Sequence, residues 1–332
     1  MTTIIISIMI VLLLLGFPMM IPLVTAAFVG FYMTFGGLGQ METLIQQMMG
    51  GIRPTALIAV PMFILAADIM TRGQSAGRLI DMVMSFVGHI KGGLAVSTAT
   101  SCTLFGAVSG STQATVVAVG GPLRPRMLKA GYKDSFTLAL IINSSDIAFL
   151  IPPSIGMIIY GIVSGTSISE LFIAGIGPGL LILAMFSMYC VGYAIVNNVP
   201  TEPKATWRQR LTTMQKALWP LGFPVLIVGG IYGGIFSPTE AAAACVFYAI
   251  LLEFLIFRSL KMQDIYAIAK STGLITAVVF ILVAVGNGFA WIISFAQVPQ
   301  TLLALFGINE AGPVGVLAAI SVAFFVACMF VD

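Results

Sequence analysis

The chain has 332 residues, of which 59% are hydrophobic and only 8% are charged. Soluble domains carry about 25% charged residues, so the composition excludes a soluble protein and predicts an integral membrane protein. The apolar segments lack the short alternating strands of an outer-membrane barrel, and we expect an all-α bundle in the lipid bilayer. The net charge of +3 says little about partners, and no nucleic acid is expected.

The first part of the chain, residues 1–91, is predicted to supply scaffold helices and an interfacial arm. Two apolar segments, Thr3–Leu15 and Pro18–Phe35, are separated by a proline break. A third apolar segment covers residues 54–70. Residues 72–91 then mix charged and apolar side chains, a pattern typical of an amphipathic helix at the membrane interface.

The next segment is too short to cross a bilayer. Gly92–Phe105 has 14 residues, whereas a spanning helix needs about 20. It ends in the small, hydroxylated run Gly106–Thr112, and a second apolar arm returns to a turn at Pro122. This pattern predicts a re-entrant helical hairpin. A polar tip inside a membrane is tolerated only where protein or a water-filled cavity satisfies its backbone, so the tip indicates a binding site.

A broken helix is predicted after the hairpin. The apolar run 135–165 is too long for one simple span, and Asn143–Asp146 and Pro152-Pro153 interrupt it. Two prolines lack N–H groups, so upstream carbonyl oxygens lose their helical partners. We group the hairpin, the broken helix and the span 171–196 as transport unit one, residues 92–196.

The second part of the chain repeats this layout. Residues 197–216 are polar and basic and are predicted to form a cytoplasmic linker. Scaffold helices and a second arm are expected over 217–311. Residues 312–332 are predicted to begin a second hairpin, with Asp332 near its tip and the rest of that hairpin missing from the chain.

The basic residues support opposite orientations for the two halves. With the linker in the cytoplasm, fourteen of the fifteen lysines and arginines fall on the cytoplasmic side and only Arg53 lies outside. The first hairpin then enters and leaves on the cytoplasmic side, and the second opens outward. Inverted repeats with broken helices are the architecture of many secondary transporters.

The hairpin tip and the helix break carry the candidate chemistry. Na⁺ prefers oxygen ligands, and hydroxyls and unwound carbonyls supply them. The N-termini of the half-helices suit an anionic substrate. The alternative is that these small residues only allow close helix packing. Asp146, a carboxylate in an apolar run, is a further candidate, whereas Asp68 fits a structural hydrogen bond and Glu240 a helix cap.

No enzyme signature is visible, since HExxH, Gly-x-Ser-x-Gly and Walker A motifs are absent. No cofactor is expected. Uphill transport would therefore depend on an ion gradient or on another subunit.

Several ordered motifs resemble one family. GAVSGSTQATVVAVGGPLRPRMLKAGY, IPPSIGMIIYG, SISELFIAGIGPG and IFSPTEAAA look like the large membrane subunit of tripartite ATP-independent periplasmic (TRAP) transporters. The resemblance implies a Na⁺-coupled, elevator-type carrier of the ion-transporter superfamily in the bacterial inner membrane. It also implies a small four-helix membrane subunit, a periplasmic substrate-binding protein and a small organic anion, such as sialic acid or a C4-dicarboxylate, as substrate.

The resemblance implies site residues as well. Asp332 matches a carboxylate at the second hairpin tip, near the substrate and a second sodium ion. Asp146 occupies a position that is more often uncharged in the family, so it could alter ion or substrate contacts. The family also continues beyond residue 332. The implied sodium-binding residues are Ser109, Gly110, Ser111, Thr112, Asn143, Ser144, Ser145, Pro152, Pro153 and Ser154.

The sequence therefore predicts sodium-driven uptake of a small organic anion delivered by a binding protein. One alternative is an anion carrier that needs no binding protein, or a channel-like permease without coupling. A membrane enzyme acting on lipids is a third possibility, disfavoured by the missing catalytic motifs.

Overall fold

The computed structural model describes residues 2–37, 39–305 and 312–328, and these residues form helices and connecting turns without a β-strand. The predicted all-α class is confirmed. The helices in chain order are α1 (Thr2–Leu14), α2 (Met20–Phe35), α3 (Met41–Gly50), α4 (Ala59–Arg72), α5 (Ser75–Val87), α6 (Gly93–Ser109), α7 (Thr112–Thr115), α8 (Gly121–Lys129), α9 (Asp134–Ser145), α10 (Ile155–Ser164), α11 (Ile168–Val196), α12 (Trp207–Tyr232), α13 (Pro238–Ile250), α14 (Met262–Phe295), α15 (Val298–Leu305) and α16 (Pro313–Cys328).

Long apolar helices confirm an integral membrane protein. Large apolar side chains such as Leu181, Met188 and Val196 on α11 are more than half exposed, as expected for a helix that faces lipid. Within the described part of the chain, five helical segments are long and apolar enough to cross a membrane: Thr55–Arg72, Ile168–Val196, Trp207–Tyr232, Pro238–Ile256 and Met262–Phe295.

Capping residues set two helix starts in the second half of the chain. Helix α12 begins at Trp207, inside the stretch predicted as a linker, because Thr206 and Gln209 form a capping box. Residues 207–216 are thus helical, and the non-helical connection is shorter than expected. Ser237 and Glu240 form a second capping box at α13, which confirms the capping role predicted for Glu240.

The chain divides into two compact units, with boundaries at Pro54 and at Ala277 within α14. One unit holds residues up to Pro54 and from Ala277 onward. Its core is formed by the buried side chains of Ala27, Phe31, Leu44 and Ile292, with Phe35 and Trp291 stacked beside them.

The other unit, Thr55–Thr276, contains the candidate site. Helix α4 packs against α13, α5 packs against α12 and α6, and α6 packs against α9 and α11. The second arm of the hairpin runs through a π-helical turn, Val116–Gly120, and α8 to Lys129. The turn predicted at Pro122 is wrong, because the arm continues there as a helix. Pro122 lies in the first turn of α8, where a missing N–H is tolerated.

Candidate functional site

The tip of the hairpin is a two-residue interruption between α6 and α7. Gly110 has a positive φ of 61°, a conformation that favours glycine, and its N–H donates to the Gly106 carbonyl oxygen at 2.8 Å. Ser111 follows in an extended conformation and caps α7, its hydroxyl accepting from the Ala114 N–H at 3.4 Å. The chain therefore reverses at a glycine and restarts at a serine.

Hydroxyl groups hold the tip together. The hydroxyls of Ser109 and Thr115 lie 3.0 Å apart, and the Thr115 hydroxyl donates to the Ser111 carbonyl oxygen at 2.8 Å. The Ser109 hydroxyl also reaches the Ser111 carbonyl oxygen, at 3.2 Å. Thr115 was not among the predicted site residues. Its position four residues after Ser111, on the same helical face, is the signal that could have found it.

The helix break lies between α9 and α10. Helix α9 ends at Ser145, a 3₁₀ turn covers Asp146–Phe149, and α10 begins at Ile155. Pro152 and Pro153 are buried between them and cannot donate backbone hydrogen bonds. Ser154, fully buried and extended, caps α10 by accepting from the Met157 N–H at 3.2 Å.

The tip and the break are in direct contact. A Cβ atom at Gly110 would lie 2.5 Å from the Pro153 carbonyl oxygen. The Ile155 N–H donates to the Gly110 carbonyl oxygen at 3.4 Å. One helical turn earlier, a Cβ atom at Gly106 would lie 2.8 Å from the Cβ atom of Ala148. The two glycines thus let the hairpin and the broken helix touch through their backbones.

Two hydroxyls in this region are buried without a hydrogen-bond partner in the described part of the chain. They are Oγ1 of Thr112, beside the tip, and Oγ of Ser144, at the end of α9. Buried polar groups are normally paired, so these two oxygens are available to a ligand. Carbonyl and hydroxyl oxygens here are neutral, and the described residues contain no cluster of three metal-ligating side chains. This donor set fits a monovalent cation better than Ca²⁺ or Mg²⁺, whose protein sites usually include carboxylates.

Other predicted residues make contacts of their own. Asn143 is exposed, and its amide donates to the Ala139 carbonyl oxygen at 2.7 Å. It lines a groove of about 410 Å³ with Lys133, Phe136 and Tyr193. Ser145 is buried and donates to the Ile141 carbonyl oxygen at 2.7 Å. Asp146 is exposed at the start of the 3₁₀ turn. Asp332 lies outside the described residues.

Two acidic residues outside the site have structural contacts. Asp68 accepts a hydrogen bond from Nε of Arg72 at 3.0 Å, which confirms the structural role expected for it. Glu253, for which no role was predicted, is fully buried and accepts several hydrogen bonds at the start of α5. A carboxylate in an apolar span was the signal available for it.

Comparison with known proteins identifies the family. The family model described as "Tripartite ATP-independent periplasmic transporter, DctM component" matches residues 6–332. The chain belongs to the TRAP transporter family as a large membrane subunit. TRAP large permeases are inner-membrane transporter components, and they work with a small membrane subunit and a periplasmic binding protein.

Similar TRAP subunits carry names that state a substrate. The chain is 82% identical over 332 residues to the ectoine TRAP transporter large permease protein TeaC of Halomonas elongata, covering 100% of this chain and 78% of the relative. It is 73% identical over 324 residues to the ectoine/5-hydroxyectoine permease UehC of Ruegeria pomeroyi, covering 98% and 76%. Identity to the C4-dicarboxylate permease DctM of Pseudomonas aeruginosa is 39% over 248 residues, covering 74% and 58%.

These identities correct the substrate expected from the sequence. Sialic acid or a C4-dicarboxylate was implied by resemblance to the TRAP family in general. The two TRAP relatives named for ectoine are 82% and 73% identical to this chain, against 39% for the C4-dicarboxylate relative. The motifs shared by the whole family, such as the hairpin tip, therefore identified the transporter class but not the compound.

Proposed function

We propose that this chain forms the membrane pathway of a sodium-driven uptake system for ectoine, with a small four-helix membrane subunit and a periplasmic binding protein. The observation that carries this proposal is the 82% identity, over the full chain, to a TRAP permease named for ectoine. The neutral oxygen atoms around the hairpin tip support sodium as the coupling ion. The substrate-selective contacts would include groups at the helix break.

The charge of ectoine fits the break better than the charge of a dicarboxylate. Ectoine is a cyclic amidine with one carboxylate and is a zwitterion at neutral pH. The N-terminus of α10, a ten-residue helix, offers partial positive charge to the carboxylate. Asp146, exposed at the start of the 3₁₀ turn, offers negative charge to the amidinium. The same carboxylate would repel a dianion.

Sodium would hold the tip against the break. The proposed ligands are backbone oxygens near Gly110 and Pro153 and the hydroxyls of Thr112 and Ser144, while Ser109, Ser111, Ser145, Pro152 and Ser154 shape the surrounding backbone. Asn143 is assigned to the vicinity of the substrate. Because Gly106 and Gly110 pack the hairpin onto the break without intervening side chains, the two elements would move as one body in an elevator-type cycle.

Uptake by the complete transporter in proteoliposomes tests this function. Labelled ectoine is added with the binding protein under an inward sodium gradient, and under an equal potassium gradient as the control. We expect accumulation only with sodium. Excess 5-hydroxyectoine should compete, whereas excess sialic acid or C4-dicarboxylate should not. Equilibration without a gradient would indicate a channel-like permease, and uptake without the binding protein would indicate an independent carrier.

Charge movement gives a second test. A zwitterion carried with sodium brings net positive charge inward, so an inside-negative potential should accelerate uptake. The driving force is about 2.3 kcal/mol per elementary charge per 100 mV. A dianion carried with two sodium ions would show no such dependence. Uptake that is insensitive to a potassium diffusion potential would contradict the transport of ectoine as a zwitterion with sodium.

A further inference from the structure

Helix α5 is held at its N-terminus by a buried carboxylate from a distant part of the chain. Glu253, in the π-helical turn after α13, is fully buried. Its two oxygens accept from the N–H groups of Gln74 and Ser75, both at 3.0 Å. The hydroxyls of Ser75 and Ser259 also donate to them. Four donors therefore surround one carboxylate, and the positive end of the 13-residue helix α5 faces its charge.

The backbone of Gly73 packs closely against the Glu253 carboxylate at this end of α5. A Cβ atom at Gly73 would lie 2.1 Å from the carboxyl carbon of Glu253. A larger residue at this position would therefore displace the Glu253 carboxylate from its donors. The close approach of the Gly73 backbone and the four hydrogen bonds fix where α5 begins relative to α13.

The C-terminal end of α5 is held by an arginine of α12. Arg210 is 9% exposed, and its Nε donates to the Ser85 carbonyl oxygen at 3.1 Å. The guanidinium lies 5.7 Å from the ring centroid of Phe86 and 5.2 Å from that of Trp207. The hydroxyls of Ser85 and Thr213 are 2.9 Å apart. Both ends of α5 are thus bound to helices that follow it by more than a hundred residues.

Helix α5 in turn supports the hairpin. It packs along α6 and also contacts the π-helical turn of the second arm. At the junction, a Cβ atom at Gly93 would lie 2.3 Å from the Val87 carbonyl oxygen. The two arms that carry the tip therefore rest on a helix whose own ends are bound elsewhere.

We propose that Glu253 and Arg210 are positioning residues that keep α5 fixed to α13 and α12 throughout transport, so that the hairpin works against a static support. The inference rests on the proposed sodium-driven uptake of ectoine. It assigns the fully buried charge of Glu253 to the support of the hairpin and not to ion or substrate binding.

A disulfide between α5 and α12 tests whether α5 stays fixed. Ser85→Cys and Thr213→Cys place two thiols where hydroxyls now lie 2.9 Å apart, and oxidation should join them. Mass spectrometry of the linked peptides measures its formation. In the complete transporter, we expect the oxidised double variant to keep at least half of its reduced uptake rate. Loss of uptake on oxidation, restored by a reducing agent, would overturn the proposal.

Rescue by the same disulfide tests the positioning role of Arg210. Arg210→Met removes the hydrogen bond to Ser85 without leaving a buried charge, and we expect several-fold slower uptake. In the triple variant with both cysteines, oxidation should restore uptake to within about twofold of the cysteine pair alone. A defect that the disulfide does not relieve would show that Arg210 acts in another way.

Substitutions at the Glu253 end separate positioning from folding. Glu253→Gln should lower uptake at least about tenfold, and Ser259→Ala, which removes one of four donors, about twofold to threefold. Both should leave the half-saturating sodium concentration unchanged. Glu240→Gln is the matched control, since Gln also serves in a capping box, and should keep wild-type uptake. Normal uptake in Glu253→Gln, or an altered sodium requirement in Ser259→Ala, would contradict the proposal.

Failure of the proposed function gives a different result. If the wild-type complex shows no sodium-dependent ectoine uptake, the function is wrong. The disulfide can then be tested with the substrate and ion that the complex does carry. If the wild-type complex is active and the oxidised cysteine pair is inactive, only the positioning role is wrong.

Discussion

Buried polar groups are satisfied differently at the hairpin tip and at the anchor of α5, by which we mean the hydrogen bonds between Glu253 and the start of that helix. At the tip and the break, Thr112 and Ser144 bury neutral hydroxyls that have no partner within the described residues. At the anchor, Glu253 buries a full charge, and several donors satisfy it. The tip turns through a glycine with positive φ, whereas the anchor lies at the start of a regular helix.

The contrast separates binding from support. An unpartnered buried oxygen lowers stability unless something binds it, so its presence at a helix break favours a ligand site. A buried charge persists only when hydrogen bonds compensate its desolvation. A buried carboxylate whose oxygens already accept several hydrogen bonds therefore favours a structural role. This reasoning supports the proposed sodium site in the neutral region and the proposed positioning role of the charged region.

The largest effect is expected at the anchor. Gly73→Ala would place a Cβ atom 2.1 Å from the Glu253 carboxyl carbon and push the carboxylate off its donors. Breaking a buried charged interaction costs about 3–5 kcal/mol, so we expect a large fall in the unfolding temperature of the purified complex. Gly77→Ala, where nothing lies within 4 Å, is the control and should not destabilise. Equal melting temperatures for the two variants would show that the anchor does not stabilise the protein.

The next effect concerns the tip. Gly110→Ala would put a side chain at a φ of 61° and 2.5 Å from the Pro153 carbonyl oxygen. The left-handed conformation alone costs about 1–2 kcal/mol, and the clash separates the tip from the break. We expect uptake to fall at least about tenfold, with a smaller loss of thermal stability than in Gly73→Ala. Gly121→Ala, in open space, should retain activity; similar losses in both variants would contradict a special role for the tip.

A moderate effect is expected from the carboxylate at the break. Asp146→Asn would remove the charge proposed to meet the amidinium of ectoine. Hydrogen bonds to charged groups contribute about 1.5–3 kcal/mol, so the half-saturating ectoine concentration should rise roughly tenfold at unchanged sodium dependence. Asp81→Asn, at an exposed position on α5, is the control. A change in sodium dependence alone would assign Asp146 to the ion.

The smallest effect is expected at an exposed ion pair. Arg124 and Asp134 form two hydrogen bonds of 3.0 Å, and these hold the pKa of Asp134 below its ordinary value of 3.8. The stabilisation by this pair is therefore fully present at pH values above the ordinary pKa of Asp134. It is lost as the pH falls through the lower pKa of the folded state. Exposed pairs contribute little. Asp134→Asn should leave melting temperature and uptake unchanged at pH 7; a clear loss would show a role beyond the surface.

Much of the helical layout follows from residues that act locally. Helix ends are fixed by backbone chemistry that depends on neighbours in sequence. Examples are the short segment before Gly110, the prolines at 152 and 153, and the capping box of Ser237 and Glu240. The all-α membrane class follows from composition, which can be read without knowing any contact between distant residues. The start of α12 at Trp207 was not predicted, because the first residues of this helix are polar and only the capping box of Thr206 and Gln209 marks its beginning.

The rest depended on contacts between distant residues. Glu253 meets Ser75 across 178 positions, and no local pattern connects them. Gly106 and Gly110 could be identified as small residues, but their approach to Ala148 and Pro153 became visible only in three dimensions. The substrate could not be predicted because relatives that match this chain are named for different compounds.

The most direct test of the sodium site compares two buried serines. Ser144 at the break and Ser97 on α6 are both fully buried, and their hydroxyls have no hydrogen-bond partner among the described residues. Ser97 lies thirteen residues before Gly110, roughly 20 Å along the helix. The measurement is the half-saturating sodium concentration for ectoine uptake in Ser144→Ala and Ser97→Ala. We predict a rise of threefold or more in the first and no change in the second; equal shifts, or none in either, would contradict a sodium site between the tip and the break.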